Sequence, residues 1–254
     1  MTDPPAVSVV NAGSTSPIVL ICEHASRFIP ARFANLGLPP EELQRHIAWD
    51  IGAAAVARHI AAALDTVLIL AGYSRLLIDC NRPLSSPTSI PERSEATDIP
   101  GNVGLSAGAR AERDALFFAP FRARVAAELE ARLAARRPAV LIGMHSFTPV
   151  FLGVPRPWHA GVLYARAQRL AARLLEGLRA DDSLVVGENE PYRITTQGDF
   201  TVPVQGDARG IPTALFEVRQ DLIADAAGAA AWGARLAGVL ARVAEDPGAV
   251  QELS

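Results

Sequence analysis

The stretch Pro17-Ile18-Val19-Leu20-Ile21-Cys22-Glu23-His24-Ala25-Ser26-Arg27 is an unbroken apolar run that stops at an acid, an imidazole and a guanidinium. An apolar run without polar alternation marks a strand covered on both faces, as in a parallel sheet flanked by helices. Similar runs recur at Thr66–Ala71, Arg75–Cys80, Ala139–Met144, Gly161–Tyr164, Leu184–Gly187 and Thr213–Arg219. Amphipathic stretches lie between them. One runs from Glu41 to Leu64 after Pro39-Pro40, and another from Ser106, a suitable N-cap, to Arg137. Arg166 to Leu178 and Ala226 to Glu245 complete the set, and the last, rich in Ala, suits packing on its own sheet or on a second subunit. Strand–helix alternation predicts a three-layer α/β/α sandwich with a mostly parallel, mixed sheet. With no internal repeat and no linker, residues 1–254 read as a single domain. The segment Pro83 to Leu105, rich in Pro, Ser, Thr and Gly, interrupts the alternation, and a connection of that length without periodicity reads as a functional loop or a disordered one.

Half of the residues are hydrophobic and 20% are charged, which is globular composition. The formal net charge of -3, without a basic run, speaks against nucleic acid or an anionic membrane as partner. All 24 basic residues are Arg, a pattern of GC-rich coding more than of chemistry. Cys22 and Cys80 fit no metal spacing and read as buried thiols. The start of the chain has no basic n-region followed by an apolar core, and no apolar stretch approaches the roughly 18 residues that span a bilayer. A cytoplasmic enzyme acting on a small molecule is the expectation.

Ligands of open α/β sheets bind at the carboxyl ends of the strands, so the residues following each run carry the functional reading. Glu23-His24 follows the first run, and Asn81-Arg82 follows Arg75–Cys80, which itself contains Asp79. His145-Ser146 follows Ala139–Met144, and the last run contains Glu217 and Arg219. His24 and His145, each directly after a buried strand, make a metal pair, and imidazole suits zinc. A carboxylate completes such a site. Asp50, in an apolar neighbourhood, and Glu23, which strand alternation turns away from His24, are the candidates. A charge within the run carrying Glu217 requires a partner or a function: an ion pair with Arg219, or a general base for a metal-activated water. Arg82 offers either a salt bridge or a fork for a substrate carboxylate, with the Asn81 amide beside it. His46 shares a helical face with Asp50 in this reading and stays outside the ligand set.

Several stretches together resemble the N-formylglutamate amidohydrolase family. They are Cys22-Glu23-His24-Ala25-Ser26, His46-Ile47-Ala48-Trp49-Asp50-Ile51-Gly52-Ala53, Ser74-Arg75-Leu76-Leu77-Ile78-Asp79-Cys80-Asn81-Arg82-Pro83 and Asp98-Ile99-Pro100-Gly101-Asn102. Gly143-Met144-His145-Ser146-Phe147, Asn189-Glu190-Pro191-Tyr192 and Phe216-Glu217-Val218-Arg219-Gln220-Asp221 follow in family order. That family is similar to the zinc carboxypeptidase and acyl-amino-acid deacylase group. The resemblance implies a zinc-carboxypeptidase-like fold, Zn2+ or another divalent metal at His24 and His145, substrate contacts at Asn81 and Arg82, and catalysis by Glu217. The wider group has a carboxylate three residues after the first His; here Arg27 stands there, and the resemblance points to Asp50 as third ligand, with Glu23 the alternate. Related sequences often carry His where Gln205 stands, which leaves room for a shifted substrate or a non-catalytic binding relative.

The expected activity is hydrolysis of the amide bond of an N-formyl or other N-acyl amino acid. In it Glu217 moves the proton, while Arg82 and Arg219 hold the substrate carboxylate or carbonyl oxygen.

Overall fold

Six of the seven apolar runs become strands of one sheet. The computed structural model describes residues 3–251. In chain order the strands are β1 (Val7–Val10), β2 (Ile18–Cys22), β3 (Val67–Ala71), β4 (Arg93–Ser94), β5 (Thr97–Asp98), β6 (Val140–Phe147), β7 (Val150–Phe151), β8 (Val154–Pro155), β9 (Ala160–Tyr164), β10 (Val186–Glu188) and β11 (Thr213–Arg219). The main sheet runs β1-β3-β2-β6-β11-β9-β10, while β4-β5 and β7-β8 are two small hairpins. Its central pairs, β3 with β2, β2 with β6 and β6 with β11, are parallel, as is β9 with β10. Only β1 against β3 and β11 against β9 are antiparallel, so the expected mostly parallel, mixed sheet is found.

The helices are α1 (Ala53–Leu64), α2 (Ala107–Arg113), α3 (Ala119–Ala134), α4 (Gln168–Arg179), α5 (Ala226–Ala244) and the short α6 (Pro247–Val250). Alternate residues of the central strands serve two cores. Leu20, Ile142 and Phe216 face the layer of α1, α4 and α5, whereas Ile21, Ile69 and Leu141 face the layer of α3. Burying each such side chain contributes about 1.5–3 kcal/mol, which is why runs without polar alternation commit to this three-layer arrangement. The Ala-rich α5 packs on α1 and α4. Its Asp225 N-cap accepts from Gly228 N at 2.7 Å, and Ser106 caps α2 through Ala109 N at 3.2 Å.

Two expected elements are corrected. Arg75–Cys80 is a series of turns, not a strand. Leu76, Leu77 and Ile78 are buried in the second core without joining the sheet, and β1 takes the place beside β3 that this run would have filled. The helix expected from Glu41 to Leu64 begins only at Ala53. Gly52 stops it on the N-terminal side with φ of +79°, and a Cβ there would sit 2.2 Å from the Ile223 carbonyl oxygen. The residues before it form turns that release Asp50 toward the sheet.

Candidate metal centre and active site

β2 ends at Cys22, and the chain then presents Glu23 and His24 to different neighbours at the carboxyl edge of the sheet. His145 comes from β6, whose register sets it beside Glu217 of the parallel β11. Gly143, two residues earlier on the same face, keeps that face open: a Cβ there would lie 3.3 Å from His145 Nε2 and 2.4 Å from Leu215 Cδ2. Asp50 is placed by its own backbone, since its N–H donates to the His24 carbonyl at 3.0 Å. Its carboxylate then gathers the site. Oδ2 lies 2.9 Å from His145 Nδ1 and 3.3 Å from His24 Nδ1, and accepts from Ser146 N at 3.3 Å. His24, Asp50 and His145 each offer a ligand atom, and these atoms lie within 4.8 Å of one another, all on buried residues.

The outer edges of both imidazoles are also occupied by carboxylates. His24 Nε2 is 2.8 Å from Asp79 Oδ1, and His145 Nε2 is 3.2 Å from Glu23 Oε2. Asp79 is held in turn by Arg75, whose Nε and Nη2 donate to Oδ2 at 3.0 and 2.7 Å, and by the Asn81 N–H. Arg75 Nη1 reaches Asp50 Oδ1 at 3.3 Å. The alternation argument for Glu23 is thus half right. Glu23 does turn from His24, but toward the far edge of the His145 ring, so it stands outside the His24–Asp50–His145 group.

Electrostatics follow from this crowding of buried acids. Burial disfavours charge on Asp50, yet His24 and His145 hold its carboxyl far below the usual range. Burial likewise opposes ionisation of Asp79, and Arg75 and His24 more than reverse it. Both imidazoles are buried, but Glu23 and Asp50 raise His145 well above its ordinary value, and Asp79 and Asp50 raise His24. Glu217 goes the other way. Burial, with Asp50 adding, pushes it up to about 7 against the pull of His145, and its Oε2 has no hydrogen-bond partner.

These groups open into a cavity of about 640 Å3 lined by His24, Asp50, Arg75, Asn81, Arg82, His145 and Glu217. Asn81 Oδ1 accepts from Thr201 N at 2.9 Å, and Arg82 Nη1 donates to the Gly198 carbonyl and lies 3.3 Å from Asp199 Oδ1. The Pro83 to Leu105 loop supplies part of the wall through Pro91, Arg93 and Glu95. It is pinned by Arg113, which donates to Asn102 Oδ1 at 2.7 Å. Tyr192 and Arg193 complete the rim opposite, and His46, freed from the expected helix, lies 3.5 Å from Glu95.

The structure does not bring Arg219 to this cavity. It lies at the end of β11 and forks onto Asp221 at 2.8 and 3.2 Å, so the two residues satisfy each other at the surface. Gln205 is buried outside the cavity lining and donates to the Arg122 carbonyl at 3.2 Å. Arg27 stacks over Trp49, 5.5 Å from the ring centre. Arg75 was not among the expected site residues, and Asp79 was expected at this edge without an assigned role. The sign available was a pair of opposite charges four apart around an apolar core, Arg75 and Asp79, hidden by reading the run as a strand.

Fold and site define a mixed-sheet α/β sandwich with a buried His–Asp–His group in a cavity at the carboxyl edge of its sheet. The N-formylglutamate amidohydrolase family model matches residues 16–224, and the chain belongs to that family. Membership supports an enzyme of amidohydrolase type. Among solved structures, gene product Atu2144 from Agrobacterium tumefaciens is similar at 38% identity and a TM-score of 0.91, covering 94% of this chain and 95% of that one. N-formylglutamate amidohydrolase from Ralstonia eutropha JMP134 shares the fold at 18% identity and a TM-score of 0.69, covering 95% and 98% of the two chains. No curated protein matches the sequence. Among the described residues no helix is long and apolar enough to cross a membrane.

Proposed function

We propose that the chain is a zinc-dependent hydrolase of the amide bond in an N-formyl or other N-acyl amino acid, with N-formylglutamate as the family's example. The observation that carries this is the shared Asp50 Oδ2, approached by the Nδ1 atoms of His24 and His145, with Glu217 buried in the same cavity. The residues fit a divalent cation on their own chemistry. Two imidazole nitrogens and a carboxylate are a usual zinc set, and each imidazole has a carboxylate on its other nitrogen, the arrangement that orients ligating histidines. A cation there also relieves the excess of buried acids, since among Glu23, Asp50, Asp79 and Glu217 the paired guanidiniums are Arg75, on Asp50 and Asp79, and Arg82, 4.0 Å from Asp79. When bound, zinc supplies Lewis acidity and a water acidified to near neutral pH.

The chain's own groups do the rest. Glu217 Oε2, free of partners, takes the proton of the attacking water and returns it to the leaving nitrogen. Arg82 and Asn81 at the cavity wall hold the substrate carboxylate, while the Pro83 to Leu105 wall restricts water. Arg75 keeps Asp79 ionised and holds Asp50 in register through a second contact. The test is elemental analysis of the purified protein with an N-acyl amino acid hydrolysis assay, before and after chelation. Near-stoichiometric zinc, with turnover lost to chelator and restored by zinc, is expected. Turnover indifferent to chelation, with substoichiometric metal, overturns the proposal.

A further inference from the structure

Two buried polar atoms beside the centre lack a hydrogen-bond partner, and they are close neighbours. Glu23 Oε2 and His145 Nε2 lie 3.2 Å apart, and neither has another group to turn to. The second Glu23 oxygen is not free: Oε1 accepts from the Thr201 hydroxyl at 2.5 Å. A carboxylate only accepts, so the hydroxyl is the donor and its own position decides where Glu23 points. That position is built firmly. Thr201 is buried, its N–H donates to Asn81 Oδ1 at 2.9 Å, and the N–H of Phe200 before it donates to the Asn81 carbonyl at 3.0 Å.

The two imidazoles therefore stand in parallel situations. Each has Nδ1 toward Asp50 and Nε2 toward a carboxylate of its own. For His24 that carboxylate is Asp79, clamped by Arg75. For His145 it is Glu23, and no cation other than the histidines is recorded against it; a neutral hydroxyl does the clamping.

We propose that Thr201 and Glu23 are positioning residues: the Thr201 hydroxyl aims Glu23, and Glu23 accepts the Nε2–H of His145, leaving the Nδ1 lone pair for the metal. This rests on the metal site of the proposed function. It assigns Glu23, adjacent to a ligand, a task other than ligation. It also joins the metal centre to the substrate wall, because Asn81 holds the backbone that carries Thr201.

The experiment measures zinc affinity by competition with a chromophoric chelator, and the visible absorption of the cobalt-loaded protein, for full-length variants. Thr201→Val keeps the shape and removes the donor; Thr201→Ser restores it. Glu23→Gln removes the carboxylate charge and one of its two acceptor oxygens, so an amide oxygen kept on His145 can offer Thr201 only an N–H. Zinc affinity is expected to fall about 10- to 100-fold in Thr201→Val and Glu23→Gln, with an altered cobalt spectrum, and to recover in Thr201→Ser. Because Thr201 acts through Glu23, the double variant should lose no more than Glu23→Gln alone. Thermal melting of the metal-free proteins controls for folding; if Thr201→Val is unfolded, Glu23→Gln against Thr201→Ser carries the comparison. Wild-type affinity and spectrum in Glu23→Gln, or losses that simply add in the double variant, overturn the relay while leaving the metal site standing. Failure of the unmodified protein to take up zinc or cobalt overturns both.

Discussion

His145 Nδ1 lies 2.9 Å from Asp50 Oδ2 although 95 residues separate them in the chain. The contact joins a strand of the sheet to a turn that ends where Gly52 stops the helix. Through it one carboxylate oxygen is shared between His145 and His24. Asp50 is therefore the carboxylate that joins the two histidines of the proposed metal site, and its replacement has a defined consequence. Asp50→Asn should retain the fold and lose metal, read as substoichiometric zinc after dialysis. Full zinc occupancy in that variant would transfer the third-ligand role elsewhere.

Glu217 is the proton-moving group of the proposed mechanism, and its replacement separates binding from chemistry. Glu217→Gln should keep zinc near stoichiometric while kcat falls about 10²- to 10⁴-fold. Unchanged turnover would remove Glu217 from the mechanism.

The same residue predicts a pH dependence of stability in the metal-free protein. Its folded pKa is raised to about 7 from an ordinary 4.5, so the folded state binds more protons than the unfolded one between these values. Stability from this group is thus complete below about pH 4.5 and declines as pH rises through 7, by about 3 kcal/mol in order of magnitude. Glu217→Gln carries no charge to bury. In chelator-treated protein, denaturant unfolding should find the variant more stable than wild type at pH 8 and nearly equal at pH 5. Equal stability at both values would show that Glu217 ionises without cost.

Arg82 tests the substrate end of the cavity. Its guanidinium touches the Gly198 carbonyl and Asp199, with Nε a longer 4.0 Å from Asp79, and reaches neither His24 nor His145. Arg82→Ala should raise KM for an N-acyl amino acid roughly 10- to 100-fold, the size of one charged hydrogen bond, while zinc content stays unchanged. Arg82→Lys should recover only part, since an ammonium cannot present a planar fork. A loss confined to kcat would place Arg82 at the reacting carbonyl instead.

Gly52→Ala addresses how Asp50 is delivered. The left-handed φ and the 2.2 Å approach to the Ile223 carbonyl both oppose a Cβ. A destabilisation of about 3 kcal/mol or more is expected by denaturant unfolding, with weakened zinc binding as the turn shifts. Wild-type stability would mean that the turn relaxes freely.

Much of this was legible in the chain. Apolar runs without alternation located six strands, and the polar residues within or just after the runs, His24, Asn81-Arg82, His145 and Glu217, meet in one cavity. The misplaced strand has a physical cause. Leu76, Leu77 and Ile78 are buried against a second core rather than in the sheet, and hydrophobicity reports burial without saying what covers it. That misreading hid Arg75 and Asp79. Arg219 erred through a local competitor, since Asp221 two residues on takes its guanidinium before the cavity can.

Composition and pattern by themselves determined the layered α/β architecture and the edge of the sheet where chemistry collects, because burial on both faces and strand polarity are local properties of the chain. Which carboxylate joins the two histidines, and which stands behind them, only the tertiary structure decided. Asp50 and Glu23 differ in role because the former is set by a helix stopped at Gly52 against Ile223, and the latter by a hydroxyl at Thr201, contacts between segments far apart in sequence.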